Sequence, residues 1–156
     1  MRKSLRGFSV ALAVLALAAQ VQAGGFWLAL GNPDASSEAR ALHAAVTVKA
    51  IGCVGPESNA KITANAIGIV EGKRQTIPLR LTAMREPGMF AVAKQWPDQG
   101  RWIVQFVGRS GTAVTTTLAT IGPDGVDRYS KKEMSGEASE AQISAFLNEA
   151  GTVARK

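Results

Sequence analysis

Apolar and polar residues alternate in short runs between residues 44 and 130, and the runs are rich in Val, Ile and Thr. A period of two is typical of β-strands that bury one face. Clusters of Gly, Pro, Asn and Asp between the runs indicate turns. The pattern predicts seven strands, over residues 44–54, 62–70, 76–82, 89–96, 101–107, 112–121 and 126–129.

Seven short strands separated by turns favour an all-β fold, an Ig-like antiparallel β-sandwich over residues 44–130. No long helical pattern interrupts the strands, which argues against alternating β–α units and a nucleotide-binding sheet. Pro78 lacks a backbone donor and therefore predicts an edge strand, and Gly68 indicates a bulge or a close approach of backbone. The segment Pro97–Gly100 lies between two apolar runs and predicts a hairpin loop.

Residues 131–156 are predicted to form a linker and a short amphipathic helix. Ser139 and Gln142 have the spacing of a capping box, in which each side chain accepts a hydrogen bond from the other residue's backbone. An apolar stripe follows at helical spacing, and Gly151 is predicted to end the helix: Ile143, Phe146, Leu147 and Ala150. The stripe has two possible uses, to cover the chain's own sheet or to dock a partner through Phe146.

The first 23 residues have the parts of an export signal. Arg2, Lys3 and Arg6 make a positive start, and twelve uncharged, mostly apolar residues follow from Phe8 to Ala19. That run is shorter than the about 20 residues that span a bilayer. We therefore expect cleavage after Ala23, a periplasmic or secreted protein, and no membrane span in the mature chain.

Residues 24–43 are predicted to be a lead-in, extended or irregular, that packs partly onto the sandwich through its apolar side chains. A short helix over residues 37–42 is predicted within it, capped by Asp34 or Ser36.

The net charge changes once the signal is removed. The full chain has 18 Lys and Arg against 12 Asp and Glu. Removing three cations and no anion leaves 15 against 12, a net charge of +3. The remaining cations form no basic stripe with interleaved aromatic residues, so we expect no nucleic-acid partner.

Catalytic chemistry has little support in the sequence. The chain has one histidine, His43, and a general base is most often histidine. It has no nucleophile elbow and no phosphate-binding glycine loop. We therefore expect a protein that is not an enzyme.

Metal binding is an alternative, because the chain has soft ligands that suit Cu(I). The candidates are His43, Cys53, Met84 and Met89. No dense cluster of them is visible in the sequence, so copper is a possible cofactor and none is required by the pattern. Cys53 is the single cysteine and has no disulfide partner within the chain.

Two tryptophans flank the predicted hairpin loop. Trp96 or Trp102, if exposed, offers a flat ring on which a sugar or another small ligand can stack. Each also shares a strand face with other apolar residues, which favours packing in the core. A carbohydrate or small-ligand module is therefore a second alternative.

The stretch from residue 46 to 107 resembles exported Ig-like domains of the FixH/YtkA type. The likeness lies in an aromatic residue after a Pro-Gly turn, at Pro87–Phe90, and in a Gly-x-Trp-aliphatic strand start, at Gly100–Val104. The resemblance implies the fold and the compartment, in a group linked to copper handling and respiratory oxidase assembly. The copper ligands of that group have no clear counterparts in this chain.

Together these features predict an exported, non-catalytic Ig-like domain that binds an envelope or periplasmic protein. The spare amphipathic helix and the missing catalytic groups favour this reading over the copper-binding and small-ligand alternatives.

The copper alternative makes a prediction of its own. If the protein is a metallochaperone, it binds Cu(I) with one-to-one stoichiometry against a competing chelator, and Cys53→Ser or Met89→Leu abolishes that binding because thiolate and thioether ligands hold Cu(I). A titration of the reduced protein in which the chelator keeps all the copper contradicts it.

Overall fold

The computed structural model describes residues 25–52 and 59–153. Three short helical segments and nine strands lie in these ranges. The helices are a 3₁₀ turn at Pro33–Ala35, α1 at Ser37–Ala41 and α2 at Glu140–Val153. The strands are β1 Trp27–Gly31, β2 Ala44–Ile51, β3 Lys61–Val70, β4 Lys73–Leu79, β5 Thr82–Ala83, β6 Met89–Ala93, β7 Arg101–Ser110, β8 Ala113–Gly122 and β9 Gly125–Ser135.

The strands form two antiparallel sheets. A four-stranded sheet has the order β1-β2-β6-β5, and a five-stranded sheet has the order β4-β3-β7-β8-β9. The predicted all-β sandwich of antiparallel strands is therefore confirmed. Pro78 lies in β4, an edge strand, as predicted.

The sandwich is wider than the sequence pattern predicted. The lead-in supplies β1, which pairs with β2 with Leu30 opposite Val48. Leu28 in β1 is fully buried between the sheets, because it shares a face with the core residues of β2. At the other end of the chain β9 continues to Ser135, so both limits of the predicted 44–130 range were too narrow.

The predicted hairpin at Pro97–Gly100 is wrong. β6 belongs to the four-stranded sheet and β7 to the five-stranded sheet, so the loop crosses from one sheet to the other. The physical reason lies in the flanking residues, since Trp96 is 5% exposed and Trp102 is 3% exposed, and both pack in the core between the sheets. The Trp102 Nε1–H also donates to the Gln99 carbonyl at 2.8 Å, which ties the loop to the core.

Gly68 makes room for Trp102 in this core. The two residues are opposite each other in the β3–β7 ladder. A Cβ on Gly68 would lie 2.3 Å from Trp102 Cδ2, a distance that no side chain tolerates. The predicted close approach at Gly68 is therefore confirmed.

The helix α2 covers the outer face of the five-stranded sheet. Its capping box forms as predicted, with Ser139 N–H donating to Gln142 Oε1 at 2.8 Å and Gln142 N–H donating to Ser139 Oγ at 3.3 Å. The helix continues to Val153 instead of ending at Gly151. Its apolar stripe packs on outward-facing residues of the sheet: Ile67, Ile103 and Leu118.

Phe146 is therefore a core residue. It is buried in the same cluster as Ile103 and Leu118. Of the two uses open to the stripe, the structure therefore shows the cover of the chain's own sheet, and Phe146 is not exposed for docking a partner. An apolar helical stripe usually meets its own core, and it does so in this protein.

The predicted short helix in the lead-in is confirmed. Ser36, not Asp34, is its cap, since Ser36 Oγ accepts from the Ala39 backbone N–H at 3.2 Å. Ala39 is fully buried, so α1 is fixed by packing as well as by its cap. Among the described residues, no helix is long and apolar enough to cross a bilayer.

Two adjacent threonines of β8 provide a matched test of the core. Both are fully buried, but Thr116 Oγ1 donates to the Gly136 carbonyl at 2.8 Å, whereas Thr117 Oγ1 has no hydrogen-bond partner in the part of the chain that the structure describes. A buried hydroxyl without a partner costs free energy that an isosteric methyl avoids. We expect Thr117→Val to raise the free energy of unfolding by about 1 kcal/mol, and Thr116→Val to lower it by about 1 kcal/mol.

Urea unfolding followed by tryptophan fluorescence measures both variants. If the urea midpoints of both variants shift equally and in the same direction from that of the unchanged protein, the two hydroxyl groups do not differ in hydrogen bonding as described.

Candidate functional site

A large bulge in β9 shapes one end of the sandwich. The β8–β9 register runs from Thr115 opposite Ser135 to Ala119 opposite Lys131 and then jumps to Thr120 opposite Asp127. Residues 128–130 therefore have no partner in the ladder. The Asp127 carboxylate holds the bulge, because its Oδ1 accepts from the backbone N–H groups of Tyr129 at 2.9 Å and Ser130 at 3.2 Å.

The bulge redirects the tip of the β8–β9 hairpin, as bulges commonly do. We call residues 120–127 the hairpin tip. The β7–β8 register stops at Ile103 opposite Thr120, although both strands continue for two residues. A Cβ on Gly125 would lie 3.4 Å from the Ala45 carbonyl oxygen. The tip keeps its own β8–β9 pairs but no longer pairs with β7, and it lies against β2 of the other sheet.

The gap between the hairpin tip and β7 forms a cleft of about 480 Å³, which we call the end cleft. The walls come from the loop between the sheets, the start of β7, the hairpin tip and the end of α2. The lining residues are Lys94, Trp96, Pro97, Asp98, Gly100, Arg101, Trp102, Ile121, Gly122, Pro123 and Ala150. Four of them are the residues of β7 and β8 that lie beyond the last ladder pair, so the parting of the strands creates the space.

The charges of the end cleft are two cations and one anion. Lys94 forms an ion pair with Asp98, four residues further along the chain. The Arg101 Nε is buried and has no hydrogen-bond partner among the described residues. Buried donors in folded proteins nearly always have a hydrogen-bond acceptor, so the Arg101 Nε is an exception.

A second cleft of about 400 Å³ lies on the other side of the hairpin tip. It separates the tip from the 3₁₀ turn of the lead-in and includes Asp34, Asp124 and Asp127. Tyr129 at its rim is 82% exposed, and the Arg128 guanidinium lies 4.6 Å from the centre of its ring. Arg128 also donates to the Tyr129 hydroxyl at 2.9 Å, so the pair is held as one unit.

The structure places both predicted ligand-binding tryptophans beside the end cleft. Trp96 and Trp102 belong to its lining but are almost wholly buried. Neither offers an open ring face, and a sugar that stacks on an aromatic residue needs one. Both tryptophans pack in the core, as their strand faces predicted, and the loop that they flank borders a cleft.

The structure separates two of the predicted metal ligands, His43 and Met89. His43 is exposed at the start of β2, next to the Ala44–Ala93 pair, whereas Met89 lies opposite Lys49. Six residues of extended strand separate these positions, about 20 Å at 3.3 Å per residue. His43 and Met89 therefore cannot hold the same metal ion.

Met84 and Met89 are neighbours. The Met84 backbone N–H donates to the Met89 carbonyl at 3.0 Å across the Pro87–Gly88 turn, but two thioethers alone make an incomplete site. Cys53 lies outside the described residues. Within these residues no group of three or more His, Cys, Asp and Glu could hold a metal ion.

The edges of the two sheets differ in how they are protected from pairing with another strand. β5 has two residues, β4 contains Lys73, Arg74 and Pro78, and β9 is charged and bulged. Short length, charge, proline and bulges are the usual means of blocking an edge. β1, with the sequence WLALG, contains neither charge nor proline, and Trp27 at its start is 42% exposed.

The sequence analysis missed the strand β1 and the bulge in β9, for different reasons. The alternation of Leu28 and Leu30 with Trp27 and Ala29 is a strand signal that could have revealed β1. The bulge in β9 has no comparable signal, because its residues 128–130 are ordinary polar and aromatic residues of a surface strand.

Comparison of the chain with models of protein families, with curated proteins and with solved structures found no match in any of the three. The resemblance to FixH/YtkA-type domains therefore stays a prediction.

Proposed function

We propose that the protein is an exported, non-catalytic Ig-like domain that binds an envelope or periplasmic protein by adding a strand of that partner to β1. The observation that carries the proposal is the contrast between β1 and the three protected edges. An open edge strand offers a row of backbone donors and acceptors, and strand addition uses them for affinity.

The strand order supports the Ig-like part of the proposal. Ig domains have strands A, B, E and D in one sheet and C, F and G in the other, with C′ beside C in the variable type. The order β1-β2-β6-β5 matches A-B-E-D, and β4-β3-β7-β8 matches C′-C-F-G. β9 is then an additional strand beyond G, and α2 an additional cover.

In this assignment β9 also forms part of the surface that the partner strand contacts. β1 packs against β7, β8 and β9 of the opposite sheet, so a strand added to β1 lies beside the inner face of β9. Lys131 and Glu133 point to that face, since they are opposite the core residues Ala119 and Thr117. The partner strand therefore has uncharged residues on its outer face, beside Trp27 and Ala29, and polar residues towards Lys131 and Glu133.

A matched pair of substitutions tests the β1 edge. Ala29→Glu puts a charge on the β1 edge, and the fold tolerates it because Ala29 lies opposite Lys49. Ala83→Glu makes the same change on exposed β5, at the other edge of the same sheet. We expect Ala29→Glu to lower partner capture at least tenfold and Ala83→Glu to leave it unchanged, because a charge at an edge opposes strand addition.

Capture is measured from an envelope extract of the organism that makes the protein, followed by hydrogen exchange on the isolated complex. The amide groups of β1 should gain protection in that complex. Equal capture by the two variants contradicts the proposal, and so does a concentration-dependent dimer of the pure protein that Ala29→Glu disrupts, since the occupant of the edge is then a second copy.

Export is tested separately from binding. The proposed signal of residues 1–23 ends with the small-x-small residues Val21, Gln22 and Ala23. We expect the protein recovered from the envelope fraction to begin at Gly24, the residue that follows Ala23. Intact-mass measurement decides this, and a recovered chain that still begins at Met1 contradicts cleavage.

A further inference from the structure

Arg101 is the residue in the end cleft that the fold itself does not explain. It is the first residue of β7, opposite Ile69, on the outer face of the five-stranded sheet. The neighbouring outward residue Ile103 packs under α2, whereas Arg101 lines the end cleft together with Ala150 of that helix. Its charge makes no ion pair among the described residues, and its buried Nε has no partner.

The cleft around Arg101 has the size and lining of a small-molecule site. Its volume of about 480 Å³ lies within the range of about 300–1,000 Å³ that is usual for ligand pockets. Trp96, Trp102, Ile121 and two prolines give apolar walls. Such a lining with one or two placed polar groups is the ordinary composition of a site that binds an organic molecule.

The charged residues of the lining favour a ligand with a negative charge. Asp98 is engaged by Lys94, so the anion of the cleft is neutralised within the protein. The guanidinium of Arg101 then leaves a net positive charge. Arginine is a common partner of carboxylates, because its planar group can donate two parallel hydrogen bonds to one carboxylate.

We propose that the end cleft binds a small organic carboxylate with an apolar body, its carboxylate on Arg101 and its body against Trp102 and Ile121. A neutral sugar fits this lining poorly, because both tryptophans are almost wholly buried and a stacked sugar needs an open ring face. The site is independent of the β1 edge, since neither its residues nor its test involve that strand.

Binding is tested with 4-phenylbutyrate and with its uncharged amide, on the purified exported protein. Trp96 and Trp102 line the cleft, so their fluorescence reports occupancy directly. We expect a saturable change with the carboxylate and at least tenfold weaker binding of the amide, because the amide lacks the charge that pairs with the Arg101 guanidinium.

Matched variants locate the site. Arg101→Gln should weaken binding of 4-phenylbutyrate about tenfold or more. Arg109→Gln is its control, because Arg109 lies on the same face at the far end of β7, where it forms an ion pair with Glu137. Ala150→Leu fills the cleft and should also weaken binding, whereas Ala145→Leu changes an exposed residue of the same helix and should not.

The cleft variants keep the test decisive if Arg101→Gln fails to fold. Any of three results would overturn the proposal: no saturable signal up to millimolar carboxylate, equal binding of acid and amide, or equal effects of Ala150→Leu and Ala145→Leu. Saturable binding of maltose with no binding of 4-phenylbutyrate would also overturn it and assign the cleft to a sugar.

Discussion

The packing of Trp102 against the bare backbone of Gly68 is the contact on which this end of the molecule depends. It anchors the start of β7 in the core, while Trp96, also buried, anchors the segment that follows β6. Because Trp96 and Trp102 are both buried in the core between the sheets, the loop that joins them crosses from one sheet to the other. That crossing assigns β6 and β7 to different sheets and sets one wall of the end cleft.

The bulge in β9 supplies the opposite wall. If the β8–β9 ladder kept its register, the hairpin tip would continue in the plane of the sheet and could pair with β7 to the end of the strand. The three extra residues bend the tip towards β2 instead, held by the Asp127 carboxylate. A change of register in one strand thus produces two clefts, one on each side of the same turn.

The sequence was sufficient for local structure and insufficient for the arrangement of strands. Alternation, turn residues and the capping box at Ser139 predicted most strands, the edge position of Pro78 and the helix α2, because these signals lie within a few residues of chain. The course of the Pro97–Gly100 loop depends on where two distant tryptophans are buried. Likewise the Arg101 Nε, which has no hydrogen-bond partner among the described residues, and the open edge of β1 are defined by neighbours that are remote in sequence, so no local pattern marks them.

The cover that α2 provides has a consequence for how the protein is made. The five-stranded sheet is apolar on both faces, and its outer residues Ile67, Ile103 and Leu118 are covered by a helix that follows all nine of the described strands. During synthesis these residues emerge first and stay open to water until the helix follows them. An exposed apolar face on a slowly pairing sheet invites aggregation. The interval before the helix docks is therefore the period in which a holding chaperone has most to protect.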